Sequence, residues 1–325
     1  MKLSDKIYVA GHNGLVGSAI VRLLAKKGYH NIITRSSAEL DLRDQKSVAD
    51  FFENEQPAYV FLAAAKVGGI FANQTYPADF IYDNLSIQNN IIHQSYKWGV
   101  EKLLFLGSSC IYPKNAPQPI EEDYLMTGFL EPTNDAYAIA KIAGIKMCQA
   151  YHKQFGCRFI SAMPTNLYGP GDHYDLQNSH VLPALIRKFH EAKINNNPSV
   201  TVWGTGKPRR EFLHVDDAAM ACYFLMQRYE LPEIINIGFG IDHTIKEMAT
   251  IIKNITNYNG QIVFDESKPD GTPRKLLNVD KITKLGWNAV IDLEEGLTST
   301  YNNFEKNYHQ YTNQVSSSGS AIMHV

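Results

Sequence analysis

Lys6 to Ala10 is a short β-type run, Gly11-His12-Asn13-Gly14-Leu15-Val16-Gly17 follows it directly, and an apolar-periodic helix runs from Ser18 to Lys27. Strand, glycine-rich turn and helix in immediate succession leave few architectures open. The turn lets the backbone approach a pyrophosphate, and the helix N-terminus offers N–H donors and the positive end of its dipole. The spacing Gly-x-x-Gly-x-x-Gly is looser than the Gly-x-Gly-x-x-Gly fingerprint. The turn by itself therefore leaves the dinucleotide reading open.

The strand–helix alternation then repeats. Asn31 to Thr34 is a second strand, and Gln45 to Asn54 a helix. Tyr59 to Ala65 is a strand, Pro77 to Trp98 a long helix, and Lys102 to Gly107 a buried strand. Successive βαβ units of this kind predict an α/β fold, a doubly wound parallel sheet. Arg35 stands just after the second strand, where an acid would serve NAD and an arginine suits the 2′-phosphate of NADP. The plainer reading is a surface arginine at a strand end. Ala63, Ala64 and Ala65 are small enough for a dinucleotide to cross the strand ends, and core packing explains them equally well.

Past Phe159 to Met163 the pattern changes. Two prolines and two glycines fix the loop Pro164-Thr165-Asn166-Leu167-Tyr168-Gly169-Pro170-Gly171. One helix (Val181 to Ala192), a short strand (Val200 to Trp203) and a basic loop (Gly204 to Arg210) come next. Glu211 to Asp217 then opens a helix to Gln227, Ile234 to Ile237 is a last sheet strand, and the rest reads as α+β. The expected organisation is a Rossmann domain over 1–171 plus about 211–238, and a smaller substrate lobe over about 172–210 plus 239–310. Residues 311–325 read as a loose tail.

Tyr137 and Lys141 stand four apart in a run of helix formers, so both side chains share one helical face. A phenol, with a pKa near ~10, is a poor acid–base group at neutrality. A neighbouring ammonium favours the phenolate and predicts a lowered pKa for Tyr137. Upstream, Ser108, Ser109 and Cys110 close the buried strand that ends at Leu106-Gly107. A hydroxyl at a strand end, a Tyr–Lys helix and a glycine turn together point to a reductase site.

The 325 residues carry a formal net charge of −2, which argues for neither nucleic acid nor an anionic membrane as partner. No stretch reaches the ~20 apolar residues of a membrane span, and the first residues lack a signal-peptide pattern. Cys110, Cys148, Cys157 and Cys222 show neither a Cys-x-x-Cys pair nor metal-like spacing, which predicts reduced thiols, no metal and a cytoplasmic protein.

The combination resembles the extended short-chain dehydrogenase/reductase superfamily. Within it, the chain is similar to the GDP-L-fucose synthase family, which acts on GDP-4-keto-6-deoxymannose as 3,5-epimerase and 4-reductase. The resemblance runs from about Ile7 to Tyr301. Its narrower marks are Ala10 to Ser18, Leu62 to Ile70, Gly107 to Pro113, Pro164 to Pro170, Asn178-Ser179-His180 and Arg210 to Asp217. Related dehydratases carry Thr and an acid where this chain has Ser109 and Cys110.

The resemblance implies Ser108, Tyr137 and Lys141 as a reduction triad, and Cys110 with His180 as the epimerising pair. It implies NADP along Gly11, His12, Asn13, Gly14, Leu15, Val16 and Gly17, and beside Arg35. It continues that site over Ala63, Ala64, Ala65, Leu106, Gly107, Ser108, Ser109, Tyr137, Lys141, Pro164, Thr165, Asn166, Leu167 and His180. It implies Lys188, Trp203, Arg210 and Asp270 around the GDP-sugar. A guanidinium such as Arg210 suits a diphosphate, and Trp203 stacks on a ring or is core. Loops at His12-Asn13 and Gly171 to Tyr174, Asn278 and the region from Leu231 to Ile235 depart from the pattern and bear on the identity of the sugar. A C4-reductase of another GDP-4-keto sugar, such as a heptose, is the first rival, and a non-catalytic NADP-binding regulator the second. Helices near 80–98 and 136–155 are the expected homodimer face, with burial inside one chain as the competing reading.

Overall fold

The structure, a computed structural model, describes residues 1–176, 179–268 and 270–317. Asn178, Pro269 and the tail from 318 onward lie outside the described residues.

The chain runs β1 (Ile7–Ala10), α1 (Leu15–Lys26), β2 (Ile32–Ile33), α2 (Gln45–Glu55), β3 (Tyr59–Leu62), α3 (Ile70–Thr75), α4 (Pro77–Lys97) and β4 (Lys102–Leu106). α5 (Asp135–Phe155), β5 (Phe159–Pro164), β6 (Asn166–Tyr168), α6 (Val181–Ile194) and β7 (Ser199–Trp203) come next. The remainder is β8 (Arg209–His214), α7 (Val215–Arg228), β9 (Ile235–Ile237), β10 (Asp242–Thr244), α8 (Ile245–Thr256), β11 (Gln261–Asp265), β12 (Arg274–Lys275), α9 (Asp280–Lys284) and α10 (Leu293–Ser317).

Six strands form the large sheet in the order β2-β1-β3-β4-β5-β9, and every pairing in it is parallel. All residues of β1, β3, β4 and β5 are buried. Unbroken apolar runs are what a parallel sheet covered on both faces requires. α1 and α7 cover one face through Ala19, Ile20, Leu24, Ala221 and Leu225. α2, α4 and α5 cover the other through Val48, Phe52, Ile91, Ile92 and Ile145. Phe80, Ile91 and Ile92 of α4 are therefore buried within the chain, while Tyr82 and Ile139 point outward. Strand order reverses between β1 and β3, the crevice where open α/β sheets bind ligands.

The smaller lobe has β8 antiparallel to β10 and parallel to β12 and β6, with a separate β7–β11 pair. Leu185, Phe189, Met248, Ile252, Leu297 and Phe304 fill its core. Three expectations change here. Arg209 and Arg210 begin strand β8 instead of closing a basic loop, because each pairs with β10 and β12. Leu277, Ile282 and Trp287, expected in the small lobe, pack onto the large sheet. Residues 311–317 belong to α10 and not to a loose tail, since the Tyr311 ring packs 4.8 Å from Tyr174 and 5.7 Å from Phe304. No helix among the described residues is long and apolar enough to cross a membrane.

Candidate active site

The glycine turn is built by close approach. Gly11 has φ +84°, and a Cβ there would lie 2.6 Å from the Ala64 amide nitrogen. A Cβ on Gly17 would overlap the Gly11 carbonyl oxygen, so only glycine lets α1 sit on the turn. Gly14 caps α1 without a side-chain acceptor, which leaves the first amides aimed out of the helix as an anion site needs. Ala63 donates to the Ala10 carbonyl at 3.0 Å, and Ala63 and Ala64 also pack on opposite layers of the sheet. Close approach and packing thus share these alanines. Arg35 lies beside the crevice but is engaged. It donates to Glu55 Oε1 at 2.5 Å and to the Thr34 carbonyl at 2.8 Å, above the Phe51 ring at 5.7 Å.

At the end of β4, Ser108 Oγ accepts from the Cys110 amide at 3.2 Å, starting a single 3-10 turn over Ser109–Ile111. α5 brings Tyr137 and Lys141 against this strand end. Lys141 Nζ donates to the Leu106 carbonyl at 2.8 Å, and lies 4.8 Å from the Phe105 ring and 5.8 Å from the Tyr137 ring. The Tyr137 ring stands edge-on to Phe80 at 6.4 Å. Burial pushes the Lys141 ammonium down to about 7. Burial also pushes the Tyr137 phenol well above its ordinary value, the neighbouring Cys110 adds to that, and a hydrogen bond from Ser108 opposes it. The expectation that Lys141 lowers the phenol pKa is corrected on this point. Desolvation by the surrounding protein dominates the shift of each group.

Cys110 meets a partner from far along the chain. Lys275 Nζ, on β12, donates to Cys110 Sγ at 3.6 Å. His180 is the N-cap residue of α6 and reaches solvent. Desolvation by the surrounding protein, then the charges of Lys275 and His173, hold its imidazole below the ordinary pKa. Lys275 thus bears on both members of the expected pair. Nothing in the sequence flagged it, because it is 165 residues from Cys110 and long-range strand pairing brings it there.

The remaining residues line the approach. Thr165 Oγ1 and Asn166 Nδ2 donate to the Glu211 carbonyl at 3.3 and 2.8 Å. Leu106, Gly107 and Ser109 are buried at the β4 end, and Pro164 closes β5. Trp203 is 63% exposed, with Lys188 Nζ 5.4 Å and Lys268 Nζ 5.7 Å from its ring. The core reading of Trp203 is therefore set aside, since it occupies the outward face of β7. Asp270 accepts from the Thr205 amide and hydroxyl, both at 2.7 Å, and so anchors the 204–207 loop beside Arg210. Glu211, missed as a site residue, is a fully buried carboxylate that accepts from Gly240 at 2.7 Å and Leu277 at 3.0 Å. It ties β8 to the segment that carries Lys275.

Comparison with known proteins agrees with this arrangement. The pattern of the NAD dependent epimerase/dehydratase family matches residues 7–238. GDP-L-fucose synthase 1 of Arabidopsis thaliana is 60% identical over 304 residues, 94% of this chain and 94% of that protein. The crystal structure of a GDP-6-OMe-4-keto-L-xylo-heptose reductase from C. jejuni superposes with a TM-score of 0.91 at 41% identity, covering 94% of this chain and 99% of that one. A GDP-L-fucose synthetase from Naegleria fowleri, bound to NADP, gives a TM-score of 0.88 at 32% identity, covering 95% and 96%.

Proposed function

Because this chain belongs to the NAD dependent epimerase/dehydratase family, we propose that it is an NADP-dependent epimerase–reductase of the GDP-L-fucose synthase type. It inverts C3 and C5 of GDP-4-keto-6-deoxy-D-mannose and reduces C4, giving GDP-L-fucose. The observation that carries this reading is the convergence at the β4 end. Ser108 and Cys110 share one turn there, Lys141 of α5 is bonded to Leu106, and Tyr137 bears on both Ser108 and Cys110. The identity of 60% to a GDP-L-fucose synthase, against 41% to a heptose reductase, favours the hexose.

The residues fit NADP. Gly11, Gly14 and Gly17 leave room for a pyrophosphate under the α1 amides. The Ala63 to Ala65 and Leu106 to Ser109 strand ends and the Pro164 to Leu167 segment border the crevice. When bound, NADPH supplies the hydride for C4. The chain's own groups supply the proton chemistry. A C4 ketone acidifies the hydrogens on C3 and C5. Cys110, as thiolate, takes a proton from one face and His180 returns one to the other. Tyr137 then gives its phenolic proton to the C4 oxygen as that oxygen gains charge, and Ser108 shares the hydrogen bond. Burial keeps the phenol protonated for that donation. Lys188, Trp203, Arg210 and Asp270 receive the GDP-sugar, with Arg210 on the diphosphate and Trp203 against a ring. Four free thiols suit a reducing cytoplasm, and the outward Tyr82 and Ile139 of α4 and α5 suit a homodimer face.

Cys110→Ser tests the assignment. In heavy water it should lose deuterium uptake at C3 and C5, followed by NMR, while NADPH oxidation continues. The product should be C4-reduced with both starting configurations kept. Uptake at the wild-type rate in this variant would defeat the role given to Cys110.

A further inference from the structure

Lys275 takes no part in the proton steps assigned to Cys110, His180 and Tyr137, yet the backbone around it is hydrogen-bonded on several sides. β12 pairs with β8 so that Lys275 is in register with Arg210. The next residue, Leu276, donates to Gln118 Oε1 at 2.8 Å, and its carbonyl accepts from Ile120 at 2.7 Å. Leu277 donates to the buried Glu211 carboxylate at 3.0 Å. Gln118 and Ile120 belong to the same β4–α5 connection as Cys110. The Lys275 segment is thus hydrogen-bonded to the same β4–α5 connection that carries Cys110.

The charges nearby make the pairing selective. Arg209 and Arg274, basic residues at the start of β8 and beside Lys275, both pair with Asp242. Among the described residues no carboxylate pairs with Lys275; its side chain goes to Cys110 Sγ at 3.6 Å. Tyr137 and Cys110 bear on each other, and Lys275 and His173 bear on His180. Tyr137 stays neutral because burial raises its pKa. A thiolate at Cys110 therefore faces the Lys275 ammonium and the neutral Tyr137 phenol.

We propose that Lys275 is the positioning residue that makes Cys110 a base, its fixed ammonium favouring the thiolate over the thiol. This rests on the epimerisation reading above. The same charge acts in the opposite sense on His180, where it disfavours the imidazolium and makes that group a stronger acid once protonated. One lysine thus pushes the two members of the pair in the directions their tasks need.

The test is iodoacetamide alkylation of Cys110 against pH, read on the Cys110 peptide by mass spectrometry. It compares the wild-type protein with Lys275→Met, Lys275→Gln and Lys275→Arg, each first checked for NADPH binding. The midpoint should rise in the Met and Gln variants, with alkylation at pH 7 slower by roughly tenfold. The Arg variant should keep the low midpoint. Deuterium uptake at C3 and C5 should fall with the Met variant at pH 7 and recover as pH rises, which a merely structural lysine would not produce. An unchanged midpoint in the neutral variant that binds NADPH would overturn the proposal. The midpoint is read without substrate. A shift in a protein that never exchanges C3 or C5 would instead overturn the reaction assignment and with it the base role, while the Lys275–Cys110 coupling stood as electrostatics alone.

Discussion

The dinucleotide cradle and the thiol side of the site are assembled over very different spans of chain. In the cradle, Gly11, Gly14 and Gly17 span the glycine turn and the first turn of α1, and Tyr137 and Lys141 lie in one helical turn. Within each group the spacing follows from local backbone geometry. On the thiol side, Cys110 comes from the β4 end, His180 from the start of α6 and Lys275 from β12. Long-range contacts bring Lys275 to Cys110: the β12–β8 register, the buried Glu211, and the bonds of Leu276 to Gln118 and Ile120. A local site is therefore broken by changing its own residues, and an assembled site also by changing a residue that touches no reacting atom.

The largest effect belongs to the local half. Tyr137→Phe should reduce C4 reduction by roughly 10²–10⁴-fold, the usual contribution of a positioned general acid. NADPH binding should stay nearly intact, because the ring and its contact with Phe80 are kept. Exchange at C3 and C5 should continue. Steady-state NADPH oxidation beside a binding titration checks this, and wild-type-like oxidation would remove Tyr137 from the proton step.

A middle-sized effect should separate the halves. Glu211 accepts from Gly240 and Leu277 with its two carboxylate oxygens. Glu211→Gln puts an NH₂ group against one of those N–H donors. Hydrogen bonds to a charged group contribute about 1.5–3 kcal/mol, so thermal unfolding should shift down by several degrees. Deuterium uptake should fall more than hydride delivery to an already epimerised ketone, since Leu277 is two residues from Lys275. Equal losses in both steps would mean that Glu211 supports the whole fold and not the thiol side in particular.

Legibility in the sequence divides along the same line. The glycine turn and the Tyr137–Lys141 spacing are short-range patterns, and each led to the element and crevice later found. Periodicity also gave the buried strands, since β1, β3, β4 and β5 are apolar on both faces. Lys275 was not legible, because no spacing connects it to Cys110. Arg210 looked like loop because Gly204 and Gly206 precede it, whereas pairing on both sides makes it strand. The pKa of Tyr137 was misjudged for a related reason. Spacing shows that an ammonium is near, but not how strongly the surrounding protein desolvates each group. Polar composition likewise hid the end of α10, where Tyr311 packs on Tyr174 and Phe304.

The smallest effect concerns Arg35, which is local in sequence yet already committed in the fold. Its guanidinium is 2.5 Å from Glu55 Oε1, and both side chains are partly exposed. Such a half-exposed pair is worth about 0–1 kcal/mol, against about 1.5–3 kcal/mol for a charge-assisted hydrogen bond to a phosphate. On these magnitudes the 2′-phosphate of NADPH should win the guanidinium, with the Glu55 pair subtracted. Arg35→Ala should weaken NADPH by roughly tenfold, about 1.4 kcal/mol, and leave NADH nearly unchanged. Glu55→Gln, which removes the competitor, should tighten NADPH by roughly two- to fivefold. Fluorescence titrations of both cofactors with both variants read this directly. Equal weakening of NADPH and NADH by Arg35→Ala would show that Arg35 holds α2 through Glu55 and Phe51 and does not read the phosphate.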